Sequence, residues 1–562
     1  MSNRKDDLSV KYSWLVLCAA MVVHVALALP QAMLRRDIRH DEAITLTVAT
    51  GHQAEYVDAI ARETPPHLAW APAKDWQRFL SMPADHPPEL GVIARDLAHR
   101  DIHPPLYFWL LSLVARTFGT TLAVGLGLNV LLDCLTILAT YVLGKRALRS
   151  ERAAILAACL WAISPGPLEA SLEMRQYALL GLLVPALAAI ATYAFDSKSR
   201  FGPLHVGTVT ILCALGILTH YHFLLLVSAI VLVGIVSLGE KYIARMQKRP
   251  VFDALARLLP FDASGVSPGA RRNALAFALS SMVGLILGLA VHPFVSEIMR
   301  RQGIQAQSFK WQDIPVRIGG VMVGMGRFFV WSVPLIVVWM VVLVLAIVFA
   351  IRAPKGTLTN YMQTFDPQMR RLSLWLVLSF GAQAALFLAF RSPAGAMRAK
   401  YLALNYSLFA CVLAGLLTHP SMPRHALRIL AGVMCVSSIV ALGTEVRRAW
   451  QIDASMPVVV SAPRIIVDTV ARGSLPVALW NVPRDTLVFA ATQNEILARR
   501  EQVFWDLEPG TLVVVDRERG TQNGLTTMLE ALSKRYRIEE SRPAVFGDRI
   551  VYTIQERTPI EP

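Results

Sequence analysis

Five short stretches carry side chains that could do chemistry. Asp41 and Glu42 stand side by side a few residues beyond the first long apolar run. A carboxylate there could draw a proton from an acceptor hydroxyl; equally, Asp41 could cap a helix running from Glu42 to about Thr50, because an acid satisfies the free N–H groups of a first turn. Asp101 and His103 precede Pro104-Pro105, a rigid turn that would fix their direction or serve as a turn and nothing more. Glu169, Glu173, Arg175 and Tyr177 lie at the end of two apolar runs, where charges are costly and face a wet cavity or each other. His220 and His222 flank Tyr221 in a very short hairpin, where they could hold a divalent ion with Asp101 or His103, or anchor the interface. Arg391, Arg398 and Lys400, followed by Tyr401, put three cations before a late apolar run; an anionic ligand such as a phosphate would explain them, and so would plain surface charge.

What positions these residues is a membrane. The chain has 562 residues, of which 54% are hydrophobic and only 17% charged, and its mean hydropathy is +0.47. Soluble domains carry roughly 25% charge. Apolar runs long enough to span a bilayer cover about 12–34, 121–143, 153–170, 177–195, 204–219, 222–238, 273–291, 328–351, 372–390, 401–418 and 426–445, which predicts eleven crossings. All six cysteines fall inside such runs and read as packing residues. The formal charge of +15 would suggest nucleic acid in a soluble protein. Here it sorts by loop instead. Alternate connections are basic, the longest being 240–272 with seven basic and three acidic residues, whereas 35–103 holds eight basic and eleven acidic. The basic loops and the amino terminus (Arg4, Lys5, Lys11) are therefore expected in the cytoplasm, and 35–103 outside. By that parity Pro104–Gly119 is expected to be a re-entrant or interfacial helix; the alternative is a twelfth span with one of the other spans miscounted. Beyond about 446, strand-like runs at Pro476–Val482, Thr511–Asp516 and Arg549–Gln555 alternate with a helix-like Leu525–Tyr536. The expected fold is mainly α, a polytopic membrane domain over 1–446 including the outer loop 35–103, followed by a small outer α/β domain over 447–562.

An outward acid set among cations suits transfer from a lipid donor whose leaving group is a phosphate. The carboxylate would take the acceptor's proton while the cations meet the charge on the departing phosphate. No Gly-rich nucleotide loop follows a strand on the inner side, which argues against a cytosolic nucleotide-sugar enzyme and leaves no role for nucleic acid.

In the order and placement of Asp41-Glu42, His103-Pro104-Pro105-Leu106-Tyr107, Glu173-Met174-Arg175-Gln176-Tyr177, Thr219-His220-Tyr221 and Arg398-Ala399-Lys400-Tyr401-Leu402, the chain resembles the GT-C superfamily of membrane glycosyltransferases. The likeness over about residues 10–450 is to the lipid A aminoarabinose transferases and protein O-mannosyltransferases in particular. It implies a polyprenyl-phosphate sugar donor, a lipid, glycan or protein acceptor, and inverting transfer on the periplasmic face of a bacterial-type inner membrane. Asp41 would be the base or acceptor-positioning acid with Glu42 beside it; Arg175, Arg398, Lys400 and Tyr401 would contact the donor phosphate. His103 stands where the aminoarabinose transferases carry a lysine, so its contact with the phosphate would lack that charge. No cofactor is certain; a divalent ion at Asp101, His220 or His222 is the one the resemblance leaves open. The rival reading is a flippase or transporter of lipid-linked sugar, for which charges near the midplane and internal repeats would be expected. No repeat is evident, and Asp133 is the main charge within a span.

Overall fold

The computed structural model describes residues 3–83, 87–101, 103–196, 199–238, 268–292, 311–326, 365–390, 399–419, 460–516, 522–541 and 549–558, together with 440, 443 and 447. The predicted span 328–351, all of 426–445 but 440 and 443, and Arg391 and Arg398 lie outside them.

The chain opens with α1 (Asn3–Leu34). Four short elements of the 35–103 loop follow, α2 (His40–Ala49), α3 (Gln53–Ala61), strand β1 (Trp70–Pro72) and α4 (Lys74–Gln77), and then α5 (Leu90–Arg100) and α6 (Leu106–Phe118). The bundle continues with α7 (Leu122–Leu148), α8 (Glu151–Ile163), α9 (Pro165–Ser171), α10 (Tyr177–Ala194), α11 (Pro203–Thr219) and α12 (Phe223–Leu238). After these come α13 (Pro268–Val291), α14 (Ile314–Gly326), α15 (Pro367–Phe390) and α16 (Tyr406–Thr418).

Local signals set these boundaries. The Thr121 hydroxyl accepts the Val124 N–H at 3.3 Å to start α7, the Ser150 hydroxyl accepts the Ala153 N–H at 3.3 Å to start α8, and Pro203 occupies the first turn of α11. Among the described residues, five helices are long and apolar enough to cross a bilayer, and α8 with α9, bent by 55° at Ser164, is long and apolar enough only as a pair. The protein is a multi-pass membrane protein. Helix α6, expected not to span, and α16, within the expected span 401–418, each have 13 residues, about 20 Å against a hydrocarbon core of about 30 Å. Midway through the bundle, His24 Nε2 lies 3.1 Å from Asp133 Oδ2 while its Nδ1 lies 2.8 Å from the Ala162 carbonyl. With Nδ1–H donating to that carbonyl, the contact to Asp133 needs one shared proton, so the pair is neutral overall and ties α1 to α7 and α8.

The remaining elements are β2 (Arg464–Asp468), α17 (Ser474–Leu479), β3 (Leu487–Ala491), α18 (Gln493–Ala498), α19 (Arg500–Val503), β4 (Leu512–Val515), α20 (Gln522–Ser533), β5 (Tyr536–Ser541) and β6 (Ile550–Arg557). They form a sheet of order β1-β3-β2-β4-β6-β5 in which β3, β2 and β4 are parallel. Two expectations change here. Pro476–Val482 is largely helical, because β2 and β3 run parallel and the segment between them has to cross over one face of the sheet. The sheet also draws an edge strand from the outer loop: Trp70 pairs with Phe489, Ala71 with Val488 and Pro72 with Leu487. Tyr56, Trp76 and Phe79 of that loop pack with Leu475 and Leu479 into the core under one face. The α/β unit is therefore built from 460–558 together with part of 35–103.

Candidate functional site

Helix α2 begins at His40, so Asp41 and Glu42 both lie in its first turn and Asp41 is not its cap. The capping falls to Glu42, whose carboxylate accepts the Arg39 backbone N–H at 2.8 Å. Glu42 is fully buried, also accepts from Arg35, and takes the Met174 N–H at 2.9 Å. Burial would raise its pKa, but Arg35 and these donors outweigh that and keep it ionised. Glu42 thus ties α2 to the turn between α9 and α10, while its neighbour points elsewhere.

That turn is fixed from α7. Asn129 donates both amide protons to backbone carbonyls, Ser171 at 3.0 Å and Glu173 at 2.7 Å, and accepts the Tyr107 hydroxyl at 2.9 Å. Glu173 and Arg175 are presented on one side. They do not pair through their side chains. Lys400, in a 3-10 turn (Ala399–Leu402) before α16, reaches between the segments: its ammonium lies 2.7 Å from Asp41 Oδ2 and 2.5 Å from Glu173 Oε1. Its nitrogen also sits 5.8 Å from the centre of the Tyr177 ring and 5.7 Å from that of Tyr401. Arg175 Nη1 donates to the Asp41 carbonyl at 3.3 Å and the Thr45 hydroxyl at 3.1 Å, and Nη2 to His103 Nε2 at 2.6 Å. Arg175 Nε has no hydrogen-bond partner although it is buried.

The three charged residues differ in access. Lys400 and Arg175 are 2% and 5% exposed, whereas a third of the Asp41 side chain is open. Burial pushes the Asp41 carboxyl up, but Arg175 first and Lys400 next pull the other way and win, holding it well below the usual carboxylate range. Burial would lower the Lys400 pKa; Glu173 and Asp41 reverse that.

His103 is held as a neutral ring. Burial and Arg175 depress it to about 4 against the pull of Asp101, whose carboxylate is 3.8 Å away. Its Nε2 accepts from Arg175, so Nδ1 must carry the proton. The Gln176 amide nitrogen placed 3.0 Å from Nδ1 is then better exchanged with its oxygen, which otherwise stays buried and unpaired. His103 therefore meets the cluster as an acceptor for Arg175 and brings no charge of its own.

The possible metal ligands do not converge. The His220 and His222 rings lie 4.6 Å apart with their planes tilted by 53°, and His220 lies 5.8 Å from Tyr177 and 6.4 Å from His103 between ring centres. Asp101 faces His103 and Gln53 instead. Among the described residues, no three of His, Cys, Asp and Glu form a group able to hold a metal ion. Asn129, Thr45 and Gln176 were missed as site-building residues in the sequence; an Asn inside an apolar span was the signal for the first.

The cluster lies where α2, α6, α10 and α12 begin and α11 ends, at one end of the bundle. Residues 102–259 match the dolichyl-phosphate-mannose-protein mannosyltransferase family. This mannosyltransferase-like segment contains His103, Asn129, Glu173, Arg175, His220 and His222, while Asp41 and Lys400 lie outside it. The match agrees with the GT-C resemblance drawn from the motifs. No curated protein matches the chain significantly. Among solved structures, ArnT from Cupriavidus metallidurans bound to undecaprenyl phosphate is similar over 97% of this chain and 98% of its own, at 13% identity and a TM-score of 0.45. The archaeal oligosaccharyltransferase AglB from Archaeoglobus fulgidus, in complex with an inhibitory peptide and a dolichol-phosphate, is similar over 98% and 75%, at 11% identity and a TM-score of 0.40.

Proposed function

We propose that the protein is an inverting glycosyltransferase that moves a sugar from a polyprenyl-phosphate donor to a lipid, glycan or protein acceptor on the periplasmic face of a bacterial-type inner membrane. The observation that carries this reading is the meeting of one accessible carboxylate, Asp41, with two buried cations, Lys400 and Arg175, at one end of a membrane bundle. The mannosyltransferase match over 102–259 supports the chemistry. The acidic outer loop and the basic inner loops support the side.

Asp41 takes the proton from the acceptor hydroxyl, whose oxygen attacks the anomeric carbon. The bond from that carbon to the phosphate oxygen breaks, and its electron pair stays on the phosphate. Lys400 and the unused Nε of Arg175 meet the charge that develops there. A single displacement inverts the anomeric centre. Donor binding and base activation are coupled on this reading: a phosphate that draws Lys400 away from Asp41 releases the Oδ2 lone pair it now holds and makes the carboxylate a better base. Glu42 and His103 act as positioning residues, the first holding α2 against the 172–176 turn and the second orienting Arg175.

Replacing Asp41 by Asn tests the base. Transfer should fall by roughly 10²- to 10⁴-fold with membrane level and donor binding retained; near-normal transfer would remove the assignment. Release of free polyprenyl phosphate from donor and purified protein separates transfer from carriage, since a flippase would leave the donor intact.

A further inference from the structure

Far from this cluster, the bundle has a second feature. A cavity of about 410 Å³ opens between the first turns of α11 and α13, lined by Phe201, Pro203, Val206, Arg272, Asn273 and Ala276. Helix α11 has 17 residues and ends at the His220 hairpin, so the cavity lies about 25 Å from the candidate site, toward the opposite membrane surface.

Its shape follows from how the two helices pack. They run side by side in the same direction and touch most closely at Gly284 and Gly288: a Cβ at the first would lie 2.3 Å from the Thr210 carbonyl oxygen, and at the second 2.3 Å from Ile217 Cγ2. Small residues four apart allow that approach. At their starts the Asn273 amide donates to the Ser199 carbonyl at 3.0 Å, and the wedge remains beside that bond. A stack braces one wall of it: Arg146 lies 5.0 Å over Tyr193, Tyr193 stacks on His205 at 4.5 Å and 12°, and His205 on Phe201 at 5.3 Å. Leu204, Ile211, Leu275 and Leu279 are exposed along the flanking helix faces, as lipid-facing side chains are.

Cations dominate the described residues at the mouth. Arg200, Arg271 and Arg272 are exposed there, neither 199–238 nor 268–292 contains an Asp or Glu, and the nearby Asp196 lies 3.8 Å from Arg149. An apolar wedge with arginines at headgroup level complements a lipid whose phosphate is negative and whose tails are apolar. We infer that this wedge is a binding site for an anionic glycerophospholipid of the leaflet opposite the candidate site, its phosphate on Arg271 and Arg272 and an acyl chain along Phe201, Val206 and Ala276.

The test is native mass spectrometry of the full-length protein in detergent, titrated separately with phosphatidylglycerol, phosphatidylcholine and undecaprenyl phosphate. The wild type should retain phosphatidylglycerol over phosphatidylcholine. Affinity should drop roughly 5-fold for Arg272→Gln and about 30-fold for Arg271→Gln with Arg272→Gln. Ala276→Trp, which fills the wedge and keeps the arginines, should abolish retention. Equal retention of the two phospholipids, unchanged phosphatidylglycerol binding in the double variant and in Ala276→Trp, or displacement of phosphatidylglycerol by undecaprenyl phosphate would each overturn the assignment. Sugar transfer should be unchanged in all three variants, which keeps the result independent of the transferase reading.

Discussion

Lys400→Met separates the charge balance of the cluster from its chemistry. The Lys400 ammonium is 2% exposed and holds Glu173, 5% exposed, at 2.5 Å and Asp41 at 2.7 Å. Methionine keeps most of the side-chain volume and removes the charge. Asp41 then still faces Arg175 and water, but Glu173 is left buried without its cation. Breaking a buried pair in this way costs about 3–5 kcal/mol, a fall of roughly a hundred- to several-thousand-fold in the ratio of folded to unfolded protein. Adding Glu173→Gln removes the orphaned charge at nearly the same volume, so the double variant should recover to within about 1 kcal/mol of the wild type. Transfer should stay lost in both. The assay is unfolding in mixed micelles, followed by tryptophan fluorescence, beside transfer at saturating donor. A single variant as stable as the wild type, or a double variant no better than the single, would refute the argument that Lys400 neutralises a buried acid.

Three further outcomes follow from the same geometry. Because the folded pKa of His103 is about 4 and an unfolded histidine titrates near 6.5, the unfolded chain binds more protons between those values; stability should fall as pH drops through that window, by up to about 1.4 kcal/mol per unit, and His103→Gln should flatten the slope in a pH series of melting curves. Asp41 has its pKa depressed in the fold, so the stability it contributes is present above about pH 4 and lost as pH falls below it; Asp41→Asn should remove that acid limb. Gly473→Ala would place a Cβ 2.4 Å from His40 Nδ1 and 2.7 Å from the His40 carbonyl oxygen, displacing the first turn of α2; transfer should fall in kcat more than in KM for the donor, whereas an unchanged kcat would detach the α/β unit from the positioning of Asp41.

The multi-pass membrane character was legible because apolar length is a property of consecutive residues. So was the membership of the cluster: Asp41, His103, Arg175 and Lys400 do meet, although Asp41 and Lys400 are 359 positions apart. What stayed hidden was the division of labour, since it depends on contacts between distant segments. Asp41 and Glu42 look alike in the sequence, yet helical geometry turns adjacent side chains about 100° apart, one toward Lys400 and the other into Arg35 and the Met174 N–H. Pro476–Val482 reads as a strand by composition and becomes helix because a parallel sheet needs a crossover. The pairing of Trp70 with Phe489 has no local signature at all.

The outer cations also take on a different meaning. In the sequence they break the positive-inside trend and point to an anionic ligand by their excess. In the fold, Lys400 is answered by Asp41 and Glu173, and Arg175 by hydrogen bonds to a carbonyl, a hydroxyl and a neutral imidazole. Arg175 keeps Nε unused among the described residues, and Lys400 directs two of its three ammonium protons at Asp41 and Glu173. An incoming phosphate would therefore meet open N–H groups on both cations while competing with two acids for the charge of Lys400. On the proposed mechanism, competition of that kind would leave Asp41 the weaker base until the donor is seated, because Arg175 first and Lys400 next depress its affinity for a proton. On the proposed transferase mechanism, such a site would favour ordered binding, donor before acceptor, through an ammonium shared between two acids.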